Sequence, residues 1–312
     1  MVIQHHIFPH NSFISIKTMK FFYLLSFLVL IFMGCNHSKT NNVDKKIVST
    51  LVKDDSITGF AAINGIKMYY EIHGEGEPLV LIHGGGSTIQ TSFGTILPLL
   101  AQQFKVVAVE LQAHGHTTDR NAPESFEQDA DDVAALVKHL SLKKAHFLGF
   151  SNGGNTAMRI AMRHPELVNK LVLISSFYKR DGMIPGFFEG MQHATLESMP
   201  QLLKTHYLEI NNDEKGLVAM FTKDRDRMIQ FKDWSDDELR LIKAPAFLIC
   251  GDHDVVTAEH TLKMAQLIPN NQVMILPGTH GSFIGEICSL EPGSKIPENT
   301  AAIIAEFLKK PQ

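Results

Sequence analysis

The sequence predicts an α/β fold, with a mostly parallel central sheet, helices on both faces and a helical insertion. Short continuous apolar runs such as PLVLIHG, KVVAVE and PAFLICG end in glycine or acid, as strands buried on both faces do. Helical patterns with one apolar face lie between them, and alternation of the two implies parallel strands joined by crossover helices. The alternation stops after Ser176 and resumes at PAFLICG, so residues 177–241 read as an insertion into one sheet domain.

From Phe60 onward the elements follow in order. IKMYYEIHG alternates like a half-exposed strand, and PLVLIHG and KVVAVE are buried ones. Ser125 with Gln128 three residues later predicts a capping box. Phe126, Ala130, Val133, Val137 and Leu140 then share one helical face. HFLGF is a strand, NTAMRIAMRH a helix stopped by Pro165, and KLVLISS a strand. The inserted stretch shows helical patches with Phe187, Phe188, Met191, Met199, Tyr207, Met220, Phe221, Met228 and Trp234. Such side chains pack a helical core, and a helical insert beside a sheet predicts a cap over the strand ends, with an apolar chamber below it. KDRDR, residues 223–227, reads as a solvated salt-bridged face, the alternative being Arg225 or Arg227 over a substrate carboxylate. A helix over 258–268, the strand QVMILPG and a helix from about Pro297 complete the domain. The core is therefore expected over 58–176 and 242–312.

The N-terminus reads differently. Lys17 and Lys20 precede FFYLLSFLVLIFM, too short to span a bilayer and suited to a signal peptide. Gly34-Cys35 and the polar NHSKTNN follow. That order resembles a bacterial lipoprotein signal over residues 1–35, which implies acylation of Cys35 and anchoring of an exported domain in the cell envelope. Met19 makes a more ordinary start than Met1, with 1–18 as upstream sequence. Residues 36–57 read as a polar tether. Cys250 and Cys288 are then too few for a disulfide-stapled fold and read as thiols.

A net charge of −4 with scattered Lys and Arg gives no basic face for nucleic acid. No zinc spacing and no dinucleotide fingerprint occurs, so neither metal nor cofactor is expected.

Chemistry concentrates in four motifs. GFSNGG puts Ser151 between Gly149 and Gly153, where a strand gives way to a helix. A sharp turn there exposes Oγ at a helix N-terminus and demands neighbours without bulk. A serine hydroxyl needs a histidine to take its proton and a carboxylate to orient that histidine. GDHD offers Asp252 and Asp254 after one strand, and GTHGSF offers His280 after the last. LIHGGGS places glycines after the first buried strand, where backbone N–H groups can receive an oxyanion.

Together these motifs resemble the α/β-hydrolase family over Gly59 to Leu308. The resemblance implies a triad of Ser151, Asp254 and His280, with Asp252 left to cap the turn. It implies an oxyanion hole from the N–H groups of Gly85 and Asn152, with Gly86 beside them as a further candidate. His83 is expected to brace the loop. VELQAHGHT departs from the family's Asp-x-x-Gly-x-Gly-x-Ser turn at Glu110, His114 and Thr117, and no catalytic role is assigned to it. His114, His116, His139 and His253 read as solvated or turn histidines. The expected activity is hydrolysis of a small or medium apolar ester. Cleavage of a carbon–carbon bond or a lactone by the same triad is the alternative, as is a ligand-binding module.

Overall fold

Among the described residues eight strands form one sheet in the order β1-β2-β4-β3-β5-β6-β7-β8. The strands are β1 (Ile57–Ile63), β2 (Ile66–His73), β3 (Pro78–Ile82), β4 (Lys105–Val109), β5 (Ala145–Phe150), β6 (Val168–Ile174), β7 (Ala246–Gly251) and β8 (Asn271–Leu276). The computed structural model describes residues 56–311. The expected signal segment, Cys35 and nearly all of the expected tether lie outside the described residues. Ile57, assigned to that tether, instead begins β1 and pairs with Ile72.

Only β1 and β2 run antiparallel to their neighbours. From β4 to β8 every pairing is parallel, so β3 and β5 are central. Their residues alternate between two cores because strand side chains point to opposite faces in turn. Val80, Ile82, Val107, Phe147 and Leu171 pack against α3 (Phe126–His139) and α4 (Asn152–Arg163) on one face. Leu79, Leu81, Val106, Leu148 and Val172 face the other side. There they meet the short helices α1 (Ile89–Phe93) and α2 (Leu97–Leu100) and the C-terminal helix α10 (Ile296–Lys309). Each such fully buried aliphatic side chain stabilises the fold by about 1.5–3 kcal/mol.

The predicted cap at Ser125 forms in half. Ser125 Oγ accepts the Gln128 N–H at 3.1 Å, but the Gln128 amide donates to Asp132 instead of returning to the cap. A carboxylate one turn further on is the better acceptor.

Between β6 and β7 come α5 (Phe187–His193), α6 (Gln201–Asn211), α7 (Glu214–Ile229) and α8 (Asp236–Arg240). Their apolar side chains divide. Met183, Met228, Phe231 and Trp234 join the core beside α3. Met199, Leu203, Tyr207, Leu217 and Met220 form a separate small cluster with Ala113. After β7, α9 (Ala258–Leu267) leads to β8. Cys250 is buried in β7 and makes no disulfide with Cys288. Among the described residues, no helix is long and apolar enough to cross a membrane.

Candidate active site

Ser151 stands between the end of β5 and the first turn of α4, at φ 53° and ψ −122°. That region strains any residue with a Cβ, by about 1–3 kcal/mol. The flanking glycines explain how the turn closes. A Cβ on Gly149 would lie 2.1 Å from Gly153 O, and one on Gly153 would lie 2.1 Å from Ile82 O. Any side chain at either position would push α4 off β3 and β5. The turn is held by the Ser151 N–H donating to Ile174 O at 2.8 Å.

Asp254 follows β7 and is buried. Its Oδ1 lies 2.7 Å from His280 Nδ1, in the loop after β8. Because a carboxylate only accepts, Nδ1 carries the proton and Nε2 is left as the base. The other oxygen, Oδ2, accepts from Ser175 Oγ at 2.5 Å and from the Gly251 N–H at 3.3 Å. Burial pushes Asp254 upward, but the His280 charge and these hydrogen bonds outweigh it, leaving the carboxyl below its usual range. Burial likewise pulls His280 toward the neutral form, and Asp254 outweighs it, so the imidazole ends above the ordinary histidine value. Asp252 is exposed and accepts the Gly278 N–H at 2.8 Å, which is the turn-capping role. The structure thus joins Asp254 directly to His280. Among the described residues no hydrogen bond joins Ser151 Oγ to His280; the chain neighbour Phe150 makes the contact instead, its ring 4.8 Å from the His280 ring.

The loop after β3 supplies backbone donors. His83 is fully buried, its Nδ1 facing Gly84 O at 2.7 Å and its Nε2 accepting the Leu111 N–H at 3.0 Å. One donor and one acceptor require the neutral ring, and burial lowers its pKa to about 3. His83 therefore braces the loop as expected. Gly84 donates to Ser92 Oγ at 3.3 Å. Gly86 is corrected as an oxyanion donor, because its N–H is already given to Asp224 Oδ2 at 2.5 Å. Among the described residues the Gly85 N–H donates to nothing. Asn152, at the start of α4, has an N–H with no acceptor within the helix.

Asp224 is the residue that sequence reasoning missed, together with its partners. His114 lies in a turn, as expected, its N–H donating to Leu111 O and its carbonyl accepting the Thr117 N–H, but it is not solvated. It is buried, with Nε2 2.9 Å from Asp224 Oδ2 and Nδ1 2.8 Å from Gln112 O. Burial opposes its charge, yet Asp224 raises its pKa to about 9. Arg227 likewise does not lie on a solvated face. Its buried guanidinium bonds Asp224 and Asp129, with Glu124 3.6 Å away. Arg225 remains part-exposed and pairs with its neighbour Asp226. His116 pairs with buried Glu110 at 2.9 Å, while His139 and His253 are exposed. Ser175 was also missed, and the only sequence signal was its place at the end of a strand. Glu286, in the loop that follows His280, is buried, and burial raises its carboxyl. Its neighbours Ile287 and Cys288 pack against the Met199–Leu203 cluster.

A serine on a strained strand-to-helix turn, a buried carboxylate–histidine pair and a glycine loop thus stand at the strand ends of one mostly parallel sheet, the arrangement of an α/β hydrolase. Residues 77–209 match the family model described as alpha/beta hydrolase fold. The chain is 40% identical over 244 residues to the human serine hydrolase BPHL, covering 70% of this chain and 78% of that protein. It belongs to the α/β-hydrolase family. It is also 23% identical over 263 residues to the 2-hydroxy-6-oxo-6-(2'-aminophenyl)hexa-2,4-dienoic acid hydrolase of Metapseudomonas resinovorans, covering 77% of this chain and 88% of the relative. Among solved structures, the enol-lactonase from Burkholderia xenovorans LB400 shares the fold. It aligns with a TM-score of 0.63 at 21% identity, over 80% of this chain and all (100%) of the lactonase.

Proposed function

We propose that this hydrolase cleaves a small or medium, mostly apolar carboxylic ester through an acyl-enzyme on Ser151. The observation that carries the reading is the 2.7 Å Asp254–His280 pair at the same strand ends as a serine held at positive φ. His280 Nε2 takes the Ser151 proton as Oγ adds to the carbonyl carbon, and the carbonyl electron pair moves onto oxygen. The N–H groups of Gly85 and Asn152 receive that oxyanion. As the carbonyl re-forms, the C–O bond breaks and the imidazolium gives its proton to the leaving alcohol. Water, deprotonated by the same nitrogen, then releases the acid and restores Ser151. Met199 Cε and Leu203 Cδ1 stand 3.3 and 3.9 Å from where a Gly86 Cβ would be, so the helical segment acts as a cap with an apolar wall.

The names of the two relatives above support a second reading, in which the same groups cleave a carbon–carbon bond or a lactone. Mass spectrometry after reaction with a fluorophosphonate tests the nucleophile. One label on Ser151, absent in Ser151→Ala and His280→Ala, is expected, and an unlabelled folded wild type sinks the reading. Turnover of esters, lactones and vinylogous diketones side by side then separates the two chemistries.

The N-terminal order, Lys17 and Lys20, an apolar run, then Gly34-Cys35, supports export and anchoring through a lipid on Cys35. The mass of the mature N-terminus tests this. A diacylglyceryl-modified Cys35 is expected, and an intact unmodified leader overturns it.

A further inference from the structure

The three successive N–H groups of the loop after β3 are used unequally. Gly84 is tied to Ser92 and Gly86 to Asp224, which leaves Gly85 between two fixed neighbours. Asp224 comes from α7, 138 residues further along the chain than Gly86. The same carboxylate reaches the second backbone donor's residue, because Asn152 Nδ2 lies 3.4 Å from Asp224 Oδ1. A Cβ on Gly85 would stand 2.5 Å from Asn152 Nδ2 and 3.2 Å from Asp224 Oδ2. One carboxylate therefore clasps both sides of the place where an oxyanion would form.

A lone carboxylate there would oppose the developing negative charge. Two cations remove the objection. His114 Nδ1 faces a carbonyl at 2.8 Å and Nε2 faces the carboxylate at 2.9 Å, and two acceptors require two ring protons. Gly86 N also lies 3.2 Å from Nε2, but its proton goes to the closer Asp224 oxygen. Arg227 closes the other side of the carboxylate.

Resting on the hydrolase reading above, we propose that Asp224 is a positioning residue: by holding the Gly86 N–H and the Asn152 side chain, it keeps the Gly85 and Asn152 N–H groups aimed at the oxyanion. Asp224 itself does not touch the reacting atoms.

The test uses the full chain, with a p-nitrophenyl ester and a fluorophosphonate as probes. Loss of an oxyanion donor costs about 100- to 1,000-fold in kcat. Loosening one is expected to cost about 10- to 100-fold. Asp224→Ala should therefore lower kcat and the rate of Ser151 labelling together, with KM within about threefold. Asp224→Asn keeps an oxygen for the Gly86 N–H and should recover most of the rate, whereas Asp226→Ala should match wild type. Should Asp224→Ala fail to fold, Asp224→Ala with Arg227→Met removes both buried charges at once and should show the same loss in kcat. Wild-type rates in the folded variants, a loss confined to KM, or no recovery in Asp224→Asn each overturns the role. A wild type that takes no label fails the parent reading instead, and the two failures are told apart by that one control.

Discussion

The strand-end groups Ser151, Asp254 and His280 and the clasp of Asp224, Arg227 and His114 are built on opposite plans. Each of the first three sits within a few residues of a parallel strand's C-terminal end, so the sheet places it and short loops only finish the job. The clasp instead joins α7 to two loops and α3, across sequence separations of 110 for His114–Asp224 and 98 for Asp129–Arg227. One plan lets a fold be reused with local motifs. The other depends on contacts between distant elements, and it takes five ionisable groups, His114, Glu124, Asp129, Asp224 and Arg227, out of water.

The two plans should fail in different ways when cut. Removing the Asp254 charge should hurt chemistry far more than folding. In Asp254→Asn the side chain keeps its shape, but His280 loses the partner that fixes its proton on Nδ1. A drop of about 10,000-fold in kcat is expected from the wrong tautomer. The pH profile sharpens the point. His280 works as a base only when neutral, so kcat/KM should rise as pH climbs through its pKa, which Asp254 holds above the ordinary histidine value. The Asp254→Asn inflection should therefore move to lower pH. An unmoved inflection would assign that titration to another group.

Cutting the clasp at Arg227 should do the reverse, at first to stability. Its guanidinium is 3% exposed and holds Asp224 and Asp129, both buried. Arg227→Ala strands Asp129 without a cation, leaves Asp224 only the His114 imidazolium, and should cost about 3–5 kcal/mol, read as a loss in denaturant midpoint. Arg227→Ala combined with Asp224→Asn and Asp129→Asn should recover part of it. If the single variant melts like wild type, water reaches the cluster and it is not a buried ion network at all.

The same contrast explains what could be read from the sequence. Gly149, Ser151 and Gly153 are adjacent in the chain, and the 2.1 Å approaches that forbid a Cβ act within one turn, so a pentapeptide carries the geometry. His280 and Asp254 were placed because each follows an apolar run that only a buried strand explains. Asp224 had no such marker. In KDRDR, alternating charge looks the same whether a helix faces solvent or packs over a loop, and helical period alone does not tell which face meets the sheet. The burial of His114 in its turn was illegible for the matching reason, since its partner lies in another element. Gly86 stood as a further candidate because sequence shows where N–H groups are but not which acceptors have already claimed them.

The finest cut lies within GDHD, where two carboxylates two residues apart have separate duties. Asp254 is buried against His280, whereas Asp252 is exposed and accepts only the Gly278 N–H at the base of the histidine loop. An exposed hydrogen bond of this kind contributes about 0.5–1.5 kcal/mol, because water replaces much of what is lost. Asp252→Ala should therefore lower stability by that amount and leave kcat within about twofold, measured on the same ester as Asp254→Asn. The step from a 10,000-fold to a twofold effect over two positions would show that turn capping and histidine orientation are separable here. A large loss of kcat in Asp252→Ala would mean instead that the Gly278 bond sets the path of the loop to His280, and orientation of the base would then be shared between both carboxylates.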